Sequence, residues 1–364
     1  MEKSKKIKSR RNGEIEFLRF VFATMVVLKH SINLIGAENS KYFLKASFAV
    51  EFFFIVSGYF MMVSVDKFNS KSKNNFNLGI ETVGFIKRKV KSFYLELCLA
   101  NCIGIIFILA TSTESLKRIL KLIAVGLHSD FFLLGMLIGG EKLNGPLWYL
   151  SSMLLCFTIL YPLIRRWPDI MCKVVIPISS FLLIGYLWQT YGSLLTPNFW
   201  MGFTFKGNFR AMAEIGITMY QVIKNISKLK LNFVIKVFIT FIKWFCYLIL
   251  FVYMIFFNDP TVQIFCLILY ILAIGLTFSE KCLDSKIYNN KFCILLGKLS
   301  LPMYLCHIYF SSPVPEISSL NNVLPNGMSD GKKIFVYYIV ALMTAILISI
   351  ISRFIRKYEF LSKL

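Results

Sequence analysis

EIEFLRFVFATMVVLKHS (residues 14–31) is an apolar stretch with the composition of a membrane helix, yet it carries an arginine near its start and a histidine near its end. Arg19 and His30 are eleven residues apart. At ~100° per residue this spacing leaves ~20° of angular offset, so both side chains lie on one helix face. They are separated by ~16 Å along the axis, about half the hydrocarbon thickness. Because ionisable groups at such depth usually mark a pathway or a reaction site, this helix indicates a function beyond anchoring.

Both residues also have a structural interpretation. Arg19 could extend its guanidinium to the inner interface of the membrane. His30 could satisfy a neighbouring backbone carbonyl. The rest of the sequence has to distinguish these alternatives from a reaction site.

Similar apolar stretches recur along all 364 residues, of which 57% are hydrophobic and only 16% are charged. A soluble domain has ~25% charged residues. Stretches of ~20 apolar residues cross the hydrocarbon layer as helices. We therefore predict an all-α polytopic membrane protein that forms a single domain over residues 1–364, in the lipid bilayer of the cell (plasma or inner) membrane.

The net charge of +22 is distributed in short clusters between the apolar stretches, as the positive-inside rule requires. These clusters form no continuous basic face, so we expect no nucleic acid partner. They predict about ten transmembrane helices with both termini cytoplasmic, at residues 16–36, 44–65, 92–111, 147–167, 174–190, 208–223, 233–257, 261–278, 292–312 and 333–352.

The segments between these helices follow from the same charges. Residues 1–15 and 353–364 are predicted to be cytoplasmic tails, and residues 66–91 a basic cytoplasmic loop. Arg165 and Arg166 place the end of the fourth helix inside, so its start lies outside. The stretch 112–147 is therefore predicted to be an external or re-entrant element rather than a full crossing.

The second helix adds a carboxylate. It begins AVEFFFIVSGYF (residues 49–60), and Glu51 lies about as far from the turn near residue 40 as His30 does. We therefore expect the two side chains at comparable depth. A carboxylate beside a histidine fixes its tautomer and raises its basicity, which suits a general base. The alternative is an ion pair between Glu51 and Lys29 or another helix.

Three further motifs have both a structural and a functional interpretation. The cluster KRKVK before the third helix is either a topogenic signal or a phosphate clamp for a nucleotide-bearing donor; it contains Lys87, Arg88, Lys89 and Lys91. Arg210 and Glu214 in FRAMAEIG are spaced for an ion pair, or for a polar lining around an external acceptor. His307 in LGKLSLPMYLCHIYF is weak evidence alone.

No metal site is expected from the sequence. The chain has nine cysteines and three histidines, and none of the cysteines forms a CxxC motif. Most of the cysteines lie inside apolar stretches, where they act as small packing residues.

Together these motifs resemble the integral-membrane acyltransferase-3 family, whose members O-acylate cell-surface polysaccharides and related molecules. The family's first helix carries an arginine and a histidine separated by ten residues, as Arg19 and His30 are. Its second helix has an acidic residue ahead of Phe-Phe and Ser-Gly pairs, matched here by Glu51, Phe53, Phe54, Ser57 and Gly58.

The later motifs of the family are also similar over nearly the whole chain. KRKVK resembles its arginine-rich motif, and Leu147-Trp148 through Pro162 resembles its LW segment, with Met153 near the place of a glutamate. FRAMAEIG is similar to a helix start with Glu-Phe-Gly. LGKLSLPMYLCHIYF resembles a late helix that ends in a histidine.

The resemblance implies an enzyme, an acyltransferase of the O-acetyltransferase type, with acetyl-CoA as donor substrate and no bound cofactor. The acceptor would be a hydroxyl of a cell-surface polysaccharide or lipid-linked glycan. His30 would be the general base or carry the acyl group, and Glu51 would orient it. Donor binding would fall to Arg19, Lys87, Arg88, Lys89 and Lys91. The acceptor cavity would be lined by Trp148, Arg210, Glu214 and His307.

The alternative to an enzyme is a membrane transporter or flippase. Arg19, His30 and Glu51 would then form a proton relay or a substrate site near the middle of the membrane. That alternative predicts inverted repeats or paired broken helices, and the sequence shows no convincing example of either.

Overall fold

A computed structural model describes residues 12–36, 40–69, 77–133, 143–194, 207–312 and 319–361. Within these ranges the chain consists of helices and their connections, without a β-strand. The helices are α1 (Gly13–His30), α2 (Ile32–Ile35), α3 (Ala49–Asn69), α4 (Leu78–Thr111), α5 (Leu116–Phe131), α6 (Trp148–Arg166), α7 (Pro168–Ile170), α8 (Ile176–Tyr191), α9 (Gly207–Ile226), α10 (Phe233–Phe256), α11 (Gln263–Ser279), α12 (Lys291–Cys306) and α13 (Asp330–Leu361).

Eight helical segments in the described ranges are long and apolar enough to cross a membrane. They confirm the prediction of an all-α polytopic membrane protein. The two other predicted crossings, at 208–223 and 261–278, correspond to α9 and α11. Helix α11 is apolar but has only 17 residues. Helix α9 has 20 residues and carries Arg210 and Glu214 near its start, which lowers its hydropathy.

The third long helix begins before residue 92, where the third crossing was predicted to start. Helix α4 begins at Leu78, where the side chain of Asn77 accepts a hydrogen bond from the Ile80 amide at 3.1 Å. Helix α3 continues to Asn69, so most of the predicted loop 66–91 is helical. Basic residues move a helix out of the hydrocarbon layer but do not unwind it. Residues 70–76 lie outside the described ranges.

The predicted element at 112–147 contains one helix, α5, with 16 residues. Its first half carries three basic residues, Lys117, Arg118 and Lys121. Helix α5 is shorter than the ~20 residues that a crossing requires. Residues 134–142 of this element lie outside the described ranges.

Both predicted tails are partly helical. Helix α1 begins at Gly13, within the predicted tail 1–15, and α13 continues to Leu361, beyond the predicted end at residue 352. The remaining parts of the tails, residues 1–11 and 362–364, lie outside the described ranges.

Close helix packing holds the core together. Helix α1 packs along α12, and α3 packs along α9. At Gly58 of α3 a Cβ atom would collide with the backbone of Ala213, and at Gly216 of α9 it would collide with the backbone of Ile55. Two glycines thus allow α3 and α9 to approach at backbone distance, as small residues do between membrane helices.

A buried charge cluster fixes the start of α1. Lys243 of α10 is fully buried, and its ammonium group donates hydrogen bonds to Glu14 and, at 2.7 Å, to Asp284. Asp284 also accepts a hydrogen bond from the Trp244 indole at 2.5 Å. This cluster ties the first turn of α1 to α10 and to the connection between α11 and α12.

Candidate active site

Helix α1 positions the two residues that the sequence singled out. The side chain of Asn12 caps this helix and accepts hydrogen bonds from the amides of Glu14 and Ile15 at 3.0 and 3.1 Å. Arg19 follows in the second turn, and His30 is the last residue of the helix. The cap and the neighbouring Lys243 cluster therefore determine the axial position of both side chains.

The structure brings His30 next to His307, although 277 positions separate them in the sequence. Their ring centroids are 5.0 Å apart, with an angle of 52° between the ring planes. His307 lies in a 3-10 turn directly after α12 and is fully buried. The imidazole of His30 is partly accessible at the end of α1. The C-terminal end of α1 thus has two imidazoles side by side.

The backbone fixes the tautomer of His307. Its Nδ1 lies 2.7 Å from the carbonyl oxygen of Tyr304, which can only accept a hydrogen bond. Nδ1 therefore carries the proton, and Nε2 presents a lone pair. This Nε2 is buried and has no hydrogen-bond partner among the described residues. It is a ready proton acceptor beside His30.

The end of α12 creates this arrangement. Pro302 lies inside α12, and the helix changes to a 3-10 turn at His307. The side chain of Asn144 donates to the Leu305 carbonyl at 2.8 Å, and the Tyr304 hydroxyl donates to the Pro146 carbonyl at 2.5 Å. These two contacts hold the end of α12 against the segment that leads into α6.

Two cations lie close together near the N-terminal end of α1. Arg19 forms an ion pair with Glu16 at 3.1 Å. Lys89 of α4 points inward between the rings of Phe85 and Phe157, with its ammonium 5.8 and 5.7 Å from their centroids. It lies close enough to Arg19 for their charges to repel. No acidic side chain of the described ranges pairs with Lys89. This end is therefore suited to an anion.

A chain of aromatic side chains connects the two ends. Tyr149 lies within electrostatic range of Arg19, and its hydroxyl is 3.0 Å from that of Ser57. The ring of Tyr149 is 5.8 Å from that of Tyr304, which is 5.8 Å from the ring of His307. Sequence analysis missed Tyr149 and Tyr304. Their positions, next to Trp148 and one turn before His307, were the available signals.

Comparison with known protein families supports an enzyme that transfers acyl groups. A family model described as an acyltransferase domain matches residues 12–354, nearly the whole chain. The chain belongs to the acyltransferase-3 family. No curated protein and no solved structure matches it. Membership favours acyl transfer over the transport function that the sequence left as an alternative.

In this membrane acyltransferase the KRKVK cluster divides between two faces of α4. Lys89 points toward Arg19, whereas Lys87, Arg88 and Lys91 are exposed on the outward face. The guanidinium of Arg88 lies 4.8 Å from the ring of Phe68. The four cations predicted as one donor clamp therefore do not converge on one site.

The helix register places Glu51 deeper than His30. Glu51 is fully buried in the first turn of α3 and lies near Tyr270. The next residue, Phe52, stacks on Phe22 with 4.3 Å between ring centroids. His30 lies two turns, or ~12 Å, further out along α1 than Phe22. The equal depth of Glu51 and His30, predicted from the turn between the two helices, is therefore wrong. The side chain found next to His30 is the imidazole of His307 rather than the carboxylate of Glu51.

The other predicted lining residues of the acyltransferase make contacts between helices. Arg210 donates to Glu214 at 2.8 Å, as the sequence spacing allowed, and also to the hydroxyl of Ser179 on α8 at 2.8 Å. Trp148 contacts Phe54 edge-to-face at 5.8 Å. Across the described ranges, no three His, Cys, Asp or Glu side chains form a group that could hold a metal ion.

Proposed function

We propose that this acyltransferase transfers an acetyl group from cytoplasmic acetyl-CoA to a hydroxyl of a cell-surface polysaccharide or lipid-linked glycan outside the cell membrane. The observation that carries the proposal is the contact between His30 and His307 at one end of α1, with Arg19 and Lys89 near the other end. One helix thus connects a proton-accepting pair to an anion-binding pair.

The inner cations suit the donor. CoA carries phosphates on a long, flexible pantetheine arm that ends in the thioester. Lys89 lies between two aromatic rings and has no acidic partner in the part of the chain that the structure describes, so a donor phosphate could pair with its ammonium group. The arm would then follow the side chains of Tyr149 and Tyr304 toward the outer end of α1, ~16 Å from Arg19.

The outer imidazoles suit the transfer step. The acceptor hydroxyl oxygen attacks the thioester carbonyl, a C–O bond forms, and the C–S bond breaks with CoA leaving as the thiolate. His30 takes the hydroxyl proton on one ring nitrogen. The neighbouring imidazole of His307, whose Nε2 is unpartnered among the described residues, can then accept a hydrogen bond from the imidazolium of His30 and stabilise it. The proton then neutralises the thiolate.

An acyl-histidine intermediate is the second form of this mechanism. His30 would attack the thioester itself and then pass the acetyl group to the hydroxyl. Incubating the purified chain with radiolabelled acetyl-CoA, without acceptor, distinguishes the two forms. Label retained by the wild type and absent from His30→Ala indicates the intermediate, and no retained label indicates direct transfer.

The function is tested by expressing the wild type, His30→Ala and His128→Ala at matched membrane levels and recording the NMR spectrum of the purified polysaccharide. Positioned proton transfer contributes ~10²–10⁴-fold, so His30→Ala should lose the O-acetyl signals. His128 belongs to α5 and is not among the residues assigned to the site, so its variant should keep them.

Binding of acetyl-CoA to the purified His30→Ala protein shows that the fold is intact. Unchanged acetylation in His30→Ala would refute the role of His30. If even the wild-type strain adds no acetyl group to its glycans, the proposed acyl group or acceptor is wrong.

A further inference from the structure

The outward face of α4 forms one wall of a groove that the proposed reaction does not use. The groove has a volume of about 920 Å³ and is also lined by Thr158 of α6 and Arg356 of α13. This volume lies in the ~300–1,000 Å³ range of small-molecule sites. Its wall combines cations with apolar side chains, among them Lys87, Lys91 and Val90.

The charges of the groove are positive. Arg356 is neutralised by Glu96 at 2.6 Å, and Arg88 stacks on Phe68. Lys87 and Lys91 are exposed, lie one turn apart on α4, and have no acidic partner within the described ranges. Because residues four apart share a helix face, the two ammonium groups can hold one anion between them.

The length of α4 places these lysines at the membrane surface. Its 34 residues span ~51 Å, well beyond the ~30 Å hydrocarbon layer. The basic residues occupy the half that precedes residue 92, and an apolar sequence follows to Thr111. Lys87 and Lys91 therefore lie at the level of the lipid headgroups, and the apolar wall toward Tyr94 and Cys98 continues into the membrane.

The groove is separate from the donor end of the active site. Lys89, which faces Arg19, lies on the opposite side of α4 from Lys87 and Lys91. A water-soluble phosphate would leave the apolar wall of the groove uncovered. A lipid with an anionic headgroup fits both the lysine pair and the apolar wall, because its phosphate contacts the two lysines and its acyl chain covers the wall.

We propose that this groove binds an anionic phospholipid, with the headgroup phosphate between Lys87 and Lys91 and an acyl chain along α4 toward Cys98. This site is independent of acyl transfer. The lipid fills the space between α6 and α13 at the cytoplasmic surface and holds the basic half of α4 in place.

The test is native mass spectrometry of the purified full-length protein in detergent, titrated with dioleoyl phosphatidylglycerol or dioleoyl phosphatidylcholine. Each lysine near an anionic headgroup contributes about fivefold in affinity, so Lys87→Gln/Lys91→Gln should bind phosphatidylglycerol about 25-fold more weakly. The control Lys286→Gln/Lys291→Gln makes the same charge change at another exposed pair and should bind as the wild type does.

Three results would overturn the proposal: equal retention of both lipids, equal affinity of the two double variants, or displacement of bound phosphatidylglycerol by CoA. The last result would make the groove a nucleotide site. None of these measurements requires transferase activity, so the outcome stands whether or not the proposed function is correct.

Discussion

His307 is held through one ring nitrogen and is available through the other. Nδ1 donates to the Tyr304 carbonyl, and Nε2 has no hydrogen-bond partner among the described residues, with the ring centroid of His30 5.0 Å from that of His307. Substitution by asparagine or glutamine can replace one of these two ring nitrogens at a time. Asparagine ends near the position of Nδ1, and glutamine reaches the position of Nε2, where its oxygen can accept a hydrogen bond.

We therefore expect His307→Ala and His307→Asn to lower acyl transfer by ~10²-fold, and His307→Gln to retain a larger part of the activity. The measurement is the single-turnover transfer rate as a function of pH. The pH profile should change most in the variants that lack an acceptor at the Nε2 position. If asparagine rescues better than glutamine, the contact with Tyr304 is the important one and His307 is structural.

Lys89 gives a second prediction at this scale. Lys89→Met should raise the KM for acetyl-CoA about tenfold or more, because a hydrogen bond between charged groups is lost at the donor phosphates. The control is Lys286→Met, at an exposed position outside the site. Steady-state kinetics with purified protein measures both. An equal KM in the two variants would contradict a donor site at Lys89.

Some features of the site were predictable from residue types and others were not. Arg19 and His30 were found because their spacing lies within one helix. The contact between His30 and His307 depends on the packing of α1 against α12, which no local pattern encodes. The division of KRKVK follows from the ~100° rotation between successive helical residues. It was missed because these residues were assigned to a loop.

At the scale of elements, the start of α4 shows why charge was a poor guide to helix boundaries. Hydropathy indicates the part of a helix that lies in lipid, and in α4 it selects the apolar half that follows residue 92. The capping residue Asn77 marks the true start, fourteen residues before the predicted one. The helices α9 and α11 are ambiguous for a related reason, since one is polar at its start and the other is short.

The contact between α3 and α9 depends on glycine. Gly58→Ala should lower the thermal midpoint of the detergent-solubilised protein, because its Cβ atom meets the Ala213 backbone, which cannot rotate away. Such overpacking costs about 1–3 kcal/mol. Gly185→Ala in α8 is the matched control, since its Cβ atom would meet open space. Equal midpoints for the two variants would show that α3 and α9 can separate without cost.

At the scale of the whole molecule, the Lys243 cluster joins parts of the chain that are far apart in sequence. Lys243→Met would leave the carboxylates of Glu14 and Asp284 without their buried cation. Breaking a buried pair in this way costs about 3–5 kcal/mol. We expect a lower unfolding midpoint for Lys243→Met and a partial recovery in Glu14→Gln/Lys243→Met, measured by chemical denaturation in detergent. A double variant less stable than the single one would contradict this account.

The same cluster has a consequence for biosynthesis. Glu14 and its partner Lys243 are 229 positions apart in the chain, so Lys243 is synthesised later. At ~5–20 residues per second, the interval between the two is about ten to fifty seconds. During this time α1 has a carboxylate in its first turn and no buried cation to pair with it. The helix that carries His30 can therefore form this ion pair only after α10 has been synthesised.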